Sequence, residues 1–283
     1  MAELKKGARV RLHSLSTSVL NDAVGCIVGP LDGTTGRHPV KLLSPPEAVA
    51  AFPSGVKVKP SNLEKVEAPQ PQPPPKNRKT GITSHAVTPE EVGRLSDTVG
   101  AKGGWRQSIP SADQAEWFVD AYRLRIDDDY AWGGCNLHGL YDPESTAGSI
   151  TADFLVYCKL AMASGVAPAA PGWDWKACLS KAAALLRYAY EKSDAQERWG
   201  PMAGMMLRML AEQVYGTSCM MGEESPALTA MRQTLGLQEY TPEEAEERLR
   251  GLMQTRRELF NDVGGADAWL QLVEGVQKEM NRT

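Results

Sequence analysis

The sequence predicts a multidomain protein in which a small all-β barrel is followed by a mainly α-helical domain. Three observations predict this order: short β-type runs fill the first 66 residues, a proline-rich stretch begins at Ala68, and helix-start signals dominate the chain beyond it. The chain has 283 residues, 42% of them hydrophobic and 23% charged, which is the composition of a globular protein with room for about two domains.

Four short runs in the N-terminal part have the apolar patterning of β-strands. Turn-compatible pairs such as Asp32-Gly33 and Ser54-Gly55 separate them, and no long helical period intervenes. Because closure removes the unpaired edges that a small open sheet exposes, these runs and a fifth one after Pro60 predict a small barrel. The runs are Arg9–Leu12, Val24–Val28, Arg37–Leu42 and Val56–Lys59.

Glycines, apolar residues and asparagines recur through this part of the chain, which closes on a Val-Lys-Pro-x-Asn-Leu stretch. They are Gly7, Val10, Leu12 and Leu15, then Leu20, Asn21 and Gly25, then Gly36, Arg37 and Val40, and last Val56–Leu63. This pattern resembles the SH3-like small barrels that accompany MYND-type zinc fingers and ankyrin repeats in algal and protist proteins. The resemblance implies a short helical turn at Pro60–Leu63, a last strand at Glu64–Val66, and an interaction module rather than a chemistry.

A proline-rich basic linker is predicted between the two parts. Prolines alternate with glutamines from Pro69 to Pro75 and are followed by Lys76, Arg78 and Lys79. Such a composition keeps the backbone extended and buries no apolar surface, so a semi-rigid spacer is favoured over a docking motif for another protein. The predicted domains are therefore a barrel over 1–67, a linker over 68–87 and an all-α domain over 88–283.

Helix-start signals mark the rest of the chain. Thr88 and Thr241 each begin a Thr-Pro-Glu-Glu stretch with an N-cap, an N1 proline and an N3 glutamate, and Ser111 and Ser193 each lie three residues before a glutamine. With the apolar periodicity, these signals predict helices over 111–125, 151–163, 174–191, 193–199, 201–215, 226–235, 241–260 and 265–281.

Several stretches of the helical part resemble the helical region of the same algal and protist proteins. They are Asp127–Gly134, Gly139–Tyr141, Asp153–Leu160, Trp173–Trp175 and Glu191–Gly200. The chain departs from many of these proteins because it lacks a cysteine cluster that could form a MYND finger. A zinc-finger function is therefore not implied.

The richest set of chemical groups lies between Asp127 and His138. Asp127, Asp128 and Asp129 are followed by Cys135 and His138, which together supply oxygen, sulfur and nitrogen donors. A Cys-x-x-His pair is only half of a zinc site, and consecutive aspartates point in different directions on any regular element. We expect the aspartates to end a helix and to bond the following turn or nearby arginines; a metal site and a catalytic carboxylate or Cys-His pair are the alternatives.

The methionines at 202, 205, 206 and 209 have helical spacing. Leu207, Leu210 and Val214 widen the apolar face, which predicts a buried core helix; an adaptable methionine-rich docking groove is the alternative.

Charge and cysteine content exclude several classes. The net charge is −4, and residues 1–68 hold nine basic against six acidic residues, too few for the dense basic stripe that is typical of nucleic-acid binding. Five scattered cysteines without a C-x-x-C pair predict reduced thiols, and we expect a cytoplasmic or nuclear protein with no membrane segment. P-loop, H-E-x-x-H, G-x-S-x-G and G-x-G-x-x-G motifs are missing.

The function that the sequence favours is a noncatalytic adaptor that binds other proteins and needs no cofactor. Because Phe52 is the only Phe, Tyr or Trp in the predicted barrel, its cations are the available means of binding, while a solvated surface is favoured for them. The candidate binding residues are Arg9, Arg11, Arg37, Lys41, Lys57, Lys59, Trp132 and Tyr141. A hydrolytic or metal-dependent enzyme with a site around Asp127–His138 is the first alternative, and an RNA-associated protein is the second; the sequence predicts no oligomeric state.

Overall fold

The computed structural model describes residues 4, 8–66, 104–132, 138–142, 144–167, 173–219, 225–238 and 241–282. Three sequence-based predictions lie outside these residues: the linker over 68–87, the helix start at Thr88 and the environment of Cys135. The chain divides into two compact units, Met1–Gln70 with Asp128–Leu137, and Pro71–Asp127 with His138–Thr283.

The first unit contains a five-stranded antiparallel sheet that is curled into a half-barrel. Its spatial order is β4-β3-β2-β1-β5, and all five predicted strands are confirmed with shifts of one or two residues at their ends. A short helix that the sequence analysis did not predict connects β3 to β4. The elements are β1 Arg9–Leu12, β2 Val24–Ile27, β3 His38–Ser44, α1 Pro46–Ala51, β4 Val56–Val58 and β5 Leu63–Lys65.

Alternation fixes the register of the sheet. Arg11 and Lys41 are exposed, while Val10, Leu12 and Val40 face the core. The apolar residues of that core are mainly Val10, Leu12, Leu20, Ala23, Ile27, Val40, Leu42, Ala48, Val58 and Leu63.

The two asparagines of the SH3-like pattern tie connections together. Asn62 lies in a 3-10 turn, Pro60–Asn62, as the resemblance implied, and its side-chain amide donates to the carbonyl oxygens of His13 (3.1 Å) and Ser14 (3.0 Å). Asn21 accepts the backbone N–H of Leu15 at 2.8 Å and donates to the carbonyl of that residue at 2.9 Å. Both side chains satisfy backbone groups of the β1–β2 connection, so their role in this fold is structural.

The second unit is mainly helical. All eight predicted helices of this part are present, although the segment 241–260 divides into an α-helix and a 3-10 helix, Arg257–Val263. The helices are α2 Gln114–Ala131, α3 Ala147–Ala163, α4 Trp175–Leu185, α5 Lys192–Trp199, α6 Ala203–Tyr215, α7 Pro226–Leu235, α8 Pro242–Thr255 and α9 Ala266–Met280. Helix α3 packs against α6, α7, α8 and α9, and α9 also packs against α4.

Two of the predicted capping boxes are wrong and one is confirmed. Helix α2 begins at Gln114, whose side chain donates to the carbonyls of Arg106 and Ile109, so Ser111 is not its cap. At α5 the carboxylate of Asp194 accepts the N–H of Glu191 at 2.8 Å. The N-cap is therefore Glu191, two residues before Ser193. Thr241 caps α8 as predicted, with Glu244 returning the bond.

The methionine helix α6 is buried on one side only. Met206 is 5% exposed and Leu210 1% exposed, which confirms the core prediction for that face, but Met205 is 48% exposed. The prediction was wrong for Met205 because the apolar set is wider than the face that the neighbouring helices cover.

Cysteine chemistry also departs from expectation. Cys158, Cys178 and Cys219 are buried and form no disulfide, but Cys26 in β2 is disulfide-bonded, and the other half of that bridge lies outside the described residues. The predicted reduced state is therefore wrong for Cys26. Burial raises the pKa of the Cys158 and Cys178 thiols well above the ordinary value, so neither is a reactive thiolate.

Candidate functional site

The three aspartates lie among the last five residues of α2. The helix ends at Ala131, and the N–H of Trp132 donates to the carbonyl of Asp128 at 2.7 Å. The aspartates therefore lie at the end of a helix as expected, although that helix extends beyond its predicted end at residue 125. Asp128 is 1% exposed and Asp129 6% exposed, so both carboxylates are enclosed.

Asp127 holds the turn that follows α2 in sequence. Its carboxylate accepts the hydroxyl of Tyr141 at 2.6 Å, across a 3-10 turn that spans Gly139–Tyr141. Tyr141 is 8% exposed. The structure thus gives this candidate binding residue an internal contact, and its hydroxyl is already used.

His138 pairs with a carboxylate that the sequence analysis did not select. Its Nδ1 lies 2.8 Å from Oδ2 of Asp153 in α3, and the hydroxyl of Tyr122 in α2 donates to the same oxygen at 2.7 Å. The guanidinium of Arg232 in α7 lies 3.7 Å from the other oxygen, Oδ1. We call these four residues, Tyr122, His138, Asp153 and Arg232, the His138 cluster.

Asp153 is ionised at neutral pH in this cluster. Burial alone would raise the pKa of its carboxyl, but the charge of His138 and its hydrogen bond, together with Arg232 and Tyr122, lower that pKa to about 2. An ionised carboxylate can only accept, so Nδ1 of His138 carries the hydrogen and donates it to Asp153. The arrangement is that of a base and the carboxylate that orients it.

Gly139 allows the turn to lie against both helices. Its φ is +55°, and a Cβ at this position would lie 2.8 Å from the Tyr122 hydroxyl and 3.2 Å from Oδ2 of Asp153. A side chain would therefore be strained by the backbone and would push on the cluster at the same time.

A second ionic group is buried between α2 and the α4–α5 region. Arg123 of α2 donates to Asp120 at 2.7 Å and to the carbonyl oxygens of Tyr188 and Ala189 at 3.0 and 3.1 Å. The indole of Trp199 donates to Asp120 at 3.0 Å. Burial raises the pKa of Asp120, and Glu116 adds to this, while Arg123 and Trp199 oppose it. Arg123 therefore anchors the chain after α4 onto α2.

Glu116 extends this group toward the surface. It accepts from Lys181 of α4 and from Arg198 of α5, each at 3.0 Å. Burial opposes ionisation of Glu116, but the two cations prevail and lower its pKa. Its carboxylate joins α4 and α5 to α2.

Most of the candidate cations of the half-barrel are exposed, and their contacts lie at the surface. Lys57 donates to Asp32 at 3.0 Å, and Arg37 donates to the carbonyl of Lys57 at 3.2 Å. Arg11 lies 3.9 Å from Glu64. Of the other candidate residues here, Lys41 and Lys59 are exposed, whereas Arg9 is half-buried, with Nε and Nη1 enclosed and not hydrogen-bonded.

Exposure separates one tryptophan from the other six. All seven lie among the described residues, and Trp105, Trp117, Trp173, Trp175, Trp199 and Trp269 are each at most 8% exposed. Trp132, directly after α2, is 57% exposed. An indole left in water is unusual for a residue that buries so much apolar area when it packs.

A cleft of about 560 Å³ lies between α4 and the start of α9. Leu179 and Leu272 contribute to its apolar lining, and Lys176, Arg257 and Gln271 to its polar lining. Its cations are exposed, and Arg257 already pairs with Asp267 at 2.8 Å. Within the part of the chain that the structure describes, no group of three His, Cys, Asp or Glu side chains is arranged to hold a metal ion.

Asp153, Tyr122 and Arg232 were missed because the contacts that unite the cluster span 15 to 79 residues of sequence, an interval that no local motif covers. One signal was present: Asp153 is the only acidic residue in the apolar stretch Ile150–Leu160. A lone carboxylate in a buried helix requires a partner, which marks Asp153 as a candidate without identifying that partner.

Comparison with known proteins gives no relative. No family model matches the chain, and neither a curated protein nor a solved structure is similar to it. Among the described residues, no helix is long and apolar enough to cross a bilayer.

Proposed function

We propose that the protein is a noncatalytic adaptor that binds another protein through the exposed indole of Trp132. The proposal includes the order of a small SH3-like barrel, a linker and a helical domain. The observation that carries it is the exposure of Trp132, 57% against at most 8% for every other tryptophan. Exposed tryptophans are enriched at the centres of protein interfaces, where burying the ring contributes most to binding.

The hydrogen bonds that other candidate polar groups make within the protein also support a noncatalytic adaptor. Asp127, Asp153 and Tyr141 all make bonds inside the helical unit, so these polar side chains are already occupied. Localisation to the cytoplasm or nucleus belongs to this proposal and is supported by Cys158, Cys178 and Cys219, which form no disulfide. The disulfide of Cys26 counts against it, because such bonds persist mainly in oxidising compartments.

Affinity capture with the intact chain tests the adaptor. We expect Trp132→Ala to lose at least about tenfold of the captured partner while the free energy of unfolding stays within about 0.5 kcal/mol, the range of surface substitutions. Leu31→Ala is the matched control, since Leu31 is a large apolar residue that is 47% exposed. Equal capture by wild type and Trp132→Ala would overturn the assignment of Trp132.

A hydrolytic enzyme is the second candidate, and one observation favours it. The 2.8 Å bond between His138 and Asp153 orients an imidazole as in acyl-transfer sites, although a nucleophile beside it is not among the described contacts. Hydrolysis of a panel of small esters at pH 8 that disappears in His138→Ala would support the enzyme. Equal rates for both proteins would count against it.

A further inference from the structure

We propose that the His138 cluster is a pH-sensitive latch, in which protonation of His138 fastens the turn His138–Asp142 onto α2 and α3. This inference does not rest on the adaptor function. It rests on a geometry in which a titratable imidazole donates to a buried carboxylate from a short turn next to α2 and α3.

The turn is held from two sides. At one end His138 donates to Asp153 of α3, and at the other Tyr141 donates to Asp127 of α2. The second bond joins a phenol to a carboxylate and involves no imidazole. Histidine is the side chain whose ordinary pKa falls between about pH 5 and 8.

The bond to Asp153 exists in both protonation states, but its strength differs. Nδ1 carries the donated hydrogen whether or not Nε2 is protonated, so the turn does not detach at high pH. Protonation adds a full positive charge 2.8 Å from an ionised carboxylate that is 13% exposed, and such charge-assisted bonds are roughly twice as strong as neutral ones. The latch therefore tightens as pH falls.

Among the described residues, three side chains of the cluster act on the charge of His138. Asp153 from α3 favours the charged imidazole, and the neutral phenol of Tyr122 from α2 shares the same oxygen. Arg232 from α7 opposes protonation because it is a second cation on the same carboxylate, but it lies on the other oxygen at 3.7 Å. Within the turn, Tyr141 is bonded to Asp127 and Asp142 accepts the N–H of Glu144 at 2.9 Å. Because His138 lies closer to Asp153 than Arg232 does, we expect the attraction between His138 and Asp153 to exceed the repulsion from Arg232.

Amide hydrogen exchange of the intact chain tests the latch. After correction for intrinsic rates, we expect amides of His138–Asp142 to be protected about fivefold more at pH 5.5 than at pH 8.0, because the charge-assisted bond is roughly twice as strong as the neutral one. His138→Asn keeps a donor near the position of Nδ1 but cannot be protonated, so this ratio should fall below about twofold.

Two further variants sharpen the test. Arg232→Gln removes the competing cation, and the ratio should rise above that of wild type. His13→Asn is the matched control, since the Nδ1 of His13 lies 3.1 Å from the exposed Ser14 hydroxyl, and it should keep the wild-type ratio. A wild-type ratio near one, an unchanged ratio in His138→Asn, or a reduced ratio in Arg232→Gln would each overturn the latch.

Discussion

The half-barrel and the helical unit differ in that, among the described residues, a fully buried ion pair occurs only in the helical unit. In the half-barrel, Arg11 and Glu64 have side chains that are 46% and 64% exposed and lie 3.9 Å apart. In the helical unit, Arg123 and Asp120 are 5% and 2% exposed and lie 2.7 Å apart. The first pair lies on the surface of a unit that is stabilised by its apolar core, whereas the second pair lies inside the helical unit. Arginine content thus says little about binding until burial is known.

Removal of the buried arginine should have the largest effect. Arg123→Ala leaves Asp120 without its cation and two carbonyls without donors, so we expect it to cost about 3–5 kcal/mol in urea unfolding. Arg11→Ala is the matched change in the half-barrel and should cost less than about 1 kcal/mol. Similar losses in the free energy of unfolding for both variants would contradict this difference between the two regions.

Truncation of adjacent methionines separates core from surface within one helix. Met206→Ala should cost about 2–5 kcal/mol because it opens a cavity, while Met205→Ala should change the free energy of unfolding by less than about 0.5 kcal/mol. Chemical denaturation of both variants measures this. A small effect of Met206→Ala would mean that α6 is a docking face and not core.

Acid should lower the free energy of unfolding of the helical unit because Asp153 becomes protonated. Its native pKa of about 2 lies below the ordinary value of 3.8, so its stabilising contribution is complete above pH 3.8 and is lost as the pH falls toward 2. The loss should be about 2 kcal/mol by urea unfolding across that window. His138→Asn removes a cation from the pair and should flatten the slope; equal slopes would show that the two groups are not coupled.

Glycine substitutions test how closely the turn at Gly139 lies to the Tyr122 side chain. Gly139→Ala should cost about 1–3 kcal/mol, since it adds a contact with Tyr122 to the strain of a positive φ. Gly165→Ala has the same kind of backbone, with φ +75° but open space around the Cβ, and should cost only about 1 kcal/mol. Thermal unfolding compares them, and equal costs would contradict the contact at Gly139.

The elements of the fold were predictable because they depend on local pattern. Alternation identified β1 and β3, and the Thr241 capping box identified α8. The end of α2 was not predictable, because burial of Asp128 and Asp129 extends the helix through residues whose own propensity favours termination. The pairing of His138 with Asp153 was equally inaccessible, since it depends on how a turn and α3 meet in space.

Exposure of Trp132 is the central claim, and iodide quenching of tryptophan fluorescence tests it most directly. Wild-type protein should show one readily quenched component over a background of six protected tryptophans. In Trp132→Phe that component should be absent, while the protected emission remains. Quenching of Trp132→Phe that equals quenching of wild type would contradict the account, because the accessible indole would then lie elsewhere in the chain.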